Sequence, residues 1–188
     1  MPIQMLLGYP PKGEETFQAP ENGLNHANEL VTLIRDEFPQ FGIAVAGYPE
    51  THQEAVSPEV DLENLKRKVA AGSDIVITQL FYNNEDFHKF RERYEQAAIP
   101  APLIPGILPV TSLAQARRVT SLCGASLPQS LVDRLGRHDD SDWQYQVGVD
   151  FATQQVRELV QEGIPGMHFY VLNKSPATLA VLKAAEQI

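Results

Sequence analysis

The sequence predicts an α/β protein organised around parallel strands, and three observations carry that prediction. Short apolar runs alternate with stretches of helical periodicity along the whole chain, and each run is apolar on both faces. Each run is also followed by a cluster of polar or turn residues, as expected where the carboxyl ends of strands build a site. An open doubly wound sheet and a (β/α)8 barrel both fit such alternation, and the polar clusters favour the TIM-barrel type. A complete barrel of that kind takes about 200 to 250 residues and eight strands. The 188 residues here offer five strand candidates, so a partial barrel, about three βα units short, is expected within one domain spanning residues 1–188.

The strand candidates are "IQMLL" (3–7), "GIAVAG" (42–47), "DIVITQL" (74–80), "PLIPGI" (102–107) and "MHFYVL" (167–172). Between them the period becomes helical: Leu24, Ala27, Val31, Ile34 and Phe38 form one apolar stripe, Leu62, Leu65 and Val69 a second, and Phe87, Phe90 and Tyr94 a third. The helix in "SPEVDLENLKRKVAAG" has readable ends. Ser57 suits the N-cap, Pro58 the first turn, and Gly72 a left-handed stop. Two short helices are expected in "SLAQARRVTSL" and "QSLVDRLG", and a longer one in "DWQYQVGVDFATQQVRELVQEG" ending at Gly163.

Composition narrows the function. A formal net charge of -9 and the lack of a basic, aromatic-interleaved stripe argue against nucleic acid and anionic membranes as partners. No apolar run approaches the roughly 20 residues of a spanning helix, and a cytoplasmic location is expected. Cys123 is the single cysteine, placed in "VTSLCGAS" as a small apolar residue rather than a nucleophile. The five histidines lack metal-ligand spacing, so no protein-built metal site is expected. Neither G-x-G-x-x-G after a strand, nor the P-loop, nor G-x-S-x-G occurs. Periodicity and motif absence together leave the function open.

The blocks "VAGYPETHQEA", "DLENLKRKVAAGSDIVITQLFYNNEDF", "LIPGILPVTS" and "GMHFYVLNKS" occur in the order and spacing of one enzyme family. In them the chain resembles methylenetetrahydrofolate reductase, from about residue 7 to its end. The resemblance implies a (β/α)8 barrel of which this chain holds the fourth to eighth strands. It also implies FAD-dependent reduction of 5,10-methylenetetrahydrofolate to 5-methyltetrahydrofolate, with NADH or NADPH as reductant, in one-carbon metabolism. By the same resemblance Tyr48 and His52 contact FAD, with Gln53 in place of the usual proline, and Asp61, Asn64, Arg67 and Lys68 hold its adenosine and pyrophosphate parts. Gln79 faces the pterin of folate with an amide that can donate and accept. Gln115 is a second folate contact, and Lys174 stands where the family commonly has arginine.

The resemblance has gaps. The family's proton-donor glutamate lies in an early "F-E-F-F-P-P" strand without counterpart here, so no catalytic acid is assigned. Leu7 and Tyr9 replace the arginine and aspartate of the family's fourth strand. A homo-oligomer or a partner chain is expected to supply the missing strands; the alternative is a non-catalytic remnant that binds flavin or folate, or an assembly subunit. An unrelated open α/β sheet is the third reading.

Overall fold

The computed structural model describes residues 3–5 and 23–186. Leu7 and Tyr9 lie outside the described residues. The order of elements is β1 (Ile3–Met5), α1 (Ala27–Glu37), β2 (Gly42–Gly47), α2 (Pro58–Ala70), β3 (Ile75–Thr78), α3 (Asn84–Gln96), β4 (Leu103–Ile104), β5 (Gly106–Ile107), α4 (Leu113–Cys123), α5 (Gln129–Leu135), α6 (Ser141–Gln161), β6 (His168–Phe169) and α7 (Pro176–Ala184). Every strand pairing is parallel.

Strand order follows chain order, β1-β2-β3-β4, with β5 beside β6 in a second short sheet. Within each sheet a strand pairs with its successor, so the order does not reverse there as it would at the switch point of a doubly wound sheet. The single strand expected over 102–107 is two, because Pro105 has no N–H to give to a ladder. Leu103 and Ile104 pair with Val76 and Ile77, whereas Gly106 and Ile107 pair with His168 and Phe169. The last strand is correspondingly shorter than "MHFYVL" suggests.

The sequence signals for α2 are realised in full. Ser57 Oγ accepts from the Val60 amide at 3.3 Å, Pro58 opens the first turn, and Gly72 follows at a φ of 116°. Asn83, Ser112 and Asp140 cap α3, α4 and α6 in the same way, each such cap contributing about 1 kcal/mol. In α1 the apolar stripe is shorter than expected: Leu24 precedes the helix and Phe38 closes it, and both are exposed. Helix α7, not among the expected elements, opens at Ser175 followed by Pro176, an ordinary helix start.

Residues 43–47 of β2 are all buried, as a parallel strand covered on both sides must be. Ile43, Val45 and Val76 pack with Val31, Leu65, Phe87 and Phe90 from the first three helices. Leu80, Leu108 and Val110 pack with Leu131, Leu135 and Val147 of α5 and α6, and a third cluster joins α6 to α7 through Val156 and Val181. At the amino ends of the strands, Arg35 donates to the Gly72 carbonyl and to Asp74 Oδ2 at 2.8 Å, and the same oxygen accepts from the Ile43 amide at 2.7 Å. Burial pushes the Asp74 carboxyl up, but the Ile43 amide and the Arg35 guanidinium outweigh it and hold the group below its ordinary value. Among the described residues no helix is long and apolar enough to cross a membrane.

Gly148, inside α6, lets that helix lie against the chain just after β5: a Cβ there would sit 1.8 Å from the Val110 carbonyl oxygen. Gly148→Ala should therefore lower the urea midpoint, because overpacking costs about 1–3 kcal/mol and outweighs the gain of about 1 kcal/mol in helix propensity. A midpoint equal to or above wild type would contradict the close approach.

Candidate functional site

The site is built on the loops that follow β2, β3, β5 and β6. After β2 the chain turns at Tyr48–Thr51, closed by the Thr51 amide donating to the Tyr48 carbonyl at 3.1 Å. Thr51 holds a φ of 75°, a left-handed value that a β-branched residue adopts only under constraint from its surroundings. The surroundings are identifiable. Arg93 of α3 donates to the Pro49 carbonyl at 3.4 Å, and Glu50 Oε2 accepts from the Ser126 amide at 2.8 Å.

This turn brings four of the expected residues together. Tyr48 and His52 meet edge to face with ring centroids 4.6 Å apart. Lys68, on α2, lies 5.5 Å from the centre of the Tyr48 ring and donates through Nζ to the Ala46 carbonyl at 2.5 Å. Asp61, one α2 turn from the loop and only 8% exposed, accepts from the His52 amide at 3.0 Å through Oδ2. Aromatic edge, cation and carboxylate thus share one corner. Asn64 and Arg67 point into solvent from the same helix, Arg67 beside Glu63 at 3.9 Å.

Burial opposes both charges of that corner. It raises the Asp61 carboxyl above its ordinary value, against the His52 amide and the Lys68 charge, which lower it. It lowers the Lys68 ammonium to about 8, against the nearby Asp61 carboxylate, which raises it. Lys68 is therefore still a cation at pH 7, with the Ala46 carbonyl and the Tyr48 ring against its ammonium and the Asp61 charge nearby.

Gln79, directly after β3, lines a crevice with Tyr48, Glu50, Thr51, Cys123 and Ala125. The crevice is about 10 Å³, room for one water and not for a ring. Gln79 Oε1 accepts from the Leu80 amide at 2.9 Å. The amide expected to offer donor and acceptor equally thus has its oxygen engaged by the next residue's backbone. Gln115 repeats the arrangement at the start of α4, where its Oε1 accepts from the Thr111 amide at 2.7 Å and the Thr111 hydroxyl at 2.9 Å. Lys174 is exposed in the loop after β6, beyond Leu172 and Asn173, which both have positive φ. It is not in contact with the Tyr48 corner.

Arg93 and Cys123 join the site without a readable signal in the sequence, because each arrives from an element distant along the chain, whereas Glu50 lies within the loop after β2 itself. Burial raises the Cys123 thiol above its ordinary value, and Glu50 adds to the effect. Both influences keep the sulfur protonated and unreactive.

Lys68 gives the folded state a pH dependence of known sign. Between about 8 and 10.5 the folded chain has released the Lys68 proton while the unfolded chain retains it, so the wild type gains stability as pH rises through that window. The difference in unfolding free energy between wild type and Lys68→Met should accordingly move in favour of wild type from pH 8 to pH 10. A difference that stays flat would show that the ammonium is not desolvated.

Residues 2–186 match the family model described as methylenetetrahydrofolate reductase. The 5,10-methylenetetrahydrofolate reductase of Escherichia coli (strain K12) is 40% identical over 157 residues, covering 83% of this chain and 53% of that protein. Methylenetetrahydrofolate reductase (NADH) 1 of Arabidopsis thaliana is 35% identical over 191 residues, 96% of this chain and 32% of its own length. The chain thus spans about half of the bacterial relative and a third of the plant one. A solved structure of an uncharacterized protein from Clostridium thermocellum, which binds two copies of 5-methyl-5,6,7,8-tetrahydrofolic acid, superposes with a TM-score of 0.60 at 18% identity. It covers 95% of this chain and 65% of that one, a likeness of fold. With the matched model running nearly end to end, the chain belongs to the methylenetetrahydrofolate reductase family.

Proposed function

We propose that this chain forms the flavin- and folate-handling part of a reductase that converts 5,10-methylenetetrahydrofolate to 5-methyltetrahydrofolate with FAD and NAD(P)H. The observation that carries the reading is the corner of Tyr48, His52, Asp61 and Lys68 at the carboxyl end of β2, within a chain whose family is established. In this reading the parallel strands in sequential order are consecutive staves of a (β/α)8 barrel. The remaining staves, with the family's proton-donor glutamate, come from outside these 188 residues, through a partner chain or further polypeptide.

The donor set suits FAD. A cation drawn inside next to a phenol and an imidazole can meet phosphate charge and ring edges at once, and Asn64 and Arg67 extend the polar face along α2. Bound there, FAD supplies hydride transfer between nicotinamide and folate. The chain's own residues bind and orient. Asp61 holds the His52 backbone and, by its charge, keeps Lys68 protonated. Gln79 and Gln115, their oxygens tied to backbone amides, present NH2 donors to acceptor atoms of the pterin. Lys174 offers a point charge to the glutamate tail of folate, without the planar fork of an arginine. The name of the Clostridium thermocellum neighbour supports a folate as the ligand class.

The test is the visible spectrum of the purified 188-residue chain after incubation with FAD and removal of unbound cofactor, with folding checked by circular dichroism. A retained flavin band that NADH bleaches is the expected result, and a folded, colourless protein would count against flavin binding by this chain. Asp61→Ala combined with Lys68→Ala should weaken FAD retention at least tenfold, roughly the effect of one charge-assisted hydrogen bond. Wild-type affinity should also fall as pH rises through about 8, where Lys68 gives up its proton. Affinity unchanged in the folded double variant would remove α2 from the flavin site.

A further inference from the structure

Tyr170, just beyond β6, has no part in the site as described, yet its side chain reaches the strand that carries Gln79. Its hydroxyl donates to the Thr78 carbonyl at 2.9 Å, across 92 positions of sequence. The ring passes over Gly106 on the way. A Cβ on Gly106 would stand 2.7 Å from the ring edge and 2.2 Å from the Thr78 oxygen, so any side chain there would block the crossing. The Gly106 amide meanwhile donates to Thr78 Oγ1 at 2.9 Å, and His168 holds the Tyr170 ring edge to face at 4.7 Å.

The Thr78 carbonyl and the Gln79 amide belong to a single planar peptide group. Tyr170 holds its oxygen, and the Gly47 carbonyl accepts from its N–H at 2.7 Å. Fixed at both ends, that plane cannot rotate about the chain direction, and its orientation sets where the Gln79 side chain leaves the backbone. The Leu80 amide then fixes the far end of the same side chain through Oε1. We infer that Tyr170 is a positioning residue for Gln79, acting through the Thr78–Gln79 peptide plane that it and Gly47 grip from opposite ends, with Gly106 kept bare so that the ring can cross. The inference rests on the reading of Gln79 as a folate contact.

Tyr170→Phe in the full chain keeps the ring packing and removes only the hydroxyl. Amide hydrogen exchange at Gln79 should quicken by about three- to tenfold, the effect of one net hydrogen bond, while the rest of β3 exchanges as in wild type. Affinity for 5-methyltetrahydrofolate should fall by a similar factor. In a Gln79→Ala background the same hydroxyl deletion should cost no further affinity, because the two residues act as one unit. Unchanged exchange at Gln79, or an affinity loss that persists undiminished in the Gln79→Ala background, would overturn the inference. A wild-type chain that binds no folate would refute the functional reading of Gln79, while the exchange data alone would decide whether Tyr170 locks the peptide plane.

Discussion

Pro105 cannot donate a backbone hydrogen bond, and the way the chain accommodates that deficit decides how its strands meet. A proline in the middle of a parallel run ordinarily ends the ladder. Here the ladder changes partner instead: residues before Pro105 pair with β3 and residues after it pair with β6. The Pro105 carbonyl still accepts, from the His168 amide at 2.9 Å, and the Gly106 amide finds the Thr78 hydroxyl in place of a strand carbonyl. One buried threonine thus supplies the bond that the ladder loses, and the wall of strands turns a corner without leaving a buried donor unpaired. Everything at the carboxyl ends of β3, β5 and β6 sits on that junction.

The two ends of the strands use charge differently. At the amino ends, Arg35 and Asp74 serve the backbone: the guanidinium covers carbonyls at the close of α1 and the start of β3, and the carboxylate anchors the first residues of β2. Both side chains retain access to water, so little desolvation opposes them. At the carboxyl ends, Asp61 and Lys68 are drawn inside, and burial works against both ionised forms. Such a pair is a poor way to gain stability, since removing charges from water costs about as much as their attraction returns. Its placement beside Tyr48 and His52 makes sense as a site held ready, with the left-handed Thr51 as the backbone counterpart of the same strain.

The architecture was legible in the sequence because it depends on periodicity and on caps, both local properties. Residues 42–47 and the helix after Ser57 stand where composition puts them. What escaped was set by distance along the chain. The break at Pro105 was visible as a residue, but the rescue by Thr78 was not, since nothing in "DIVITQL" reveals that one hydroxyl will face a glycine 28 positions later. Helix α7 begins at Ser175 and Pro176, directly after the "LNKS" loop, so a few residues serve both as the end of a loop after a strand and as a helix start. At the site, resemblance supplied Tyr48, His52, Asp61 and Lys68, and the fold brings them within contact of one another. The supporting residues Arg93 and Tyr170 carry no local signature, being defined by what they reach.

The two glutamines show why reach matters more than residue type. An isolated side-chain amide can turn either end toward a ligand. Gln79 and Gln115 have lost that choice, because each oxygen is bound by a backbone amide within four positions along the chain. Both oxygens are engaged, one in the loop directly after β3 and the other in the first turn of α4. On the proposed reading of both as folate contacts, the ligand must present acceptors to them, as the nitrogens and carbonyl of a heteroaromatic ring do and an aliphatic chain does not. Selectivity of this kind comes from leaving the wrong ligand with unanswered donors, and it holds only while the backbone keeps each oxygen occupied. On that proposed reading, discrimination would reside in the peptide groups around Thr78 and Thr111 as much as in the glutamines themselves.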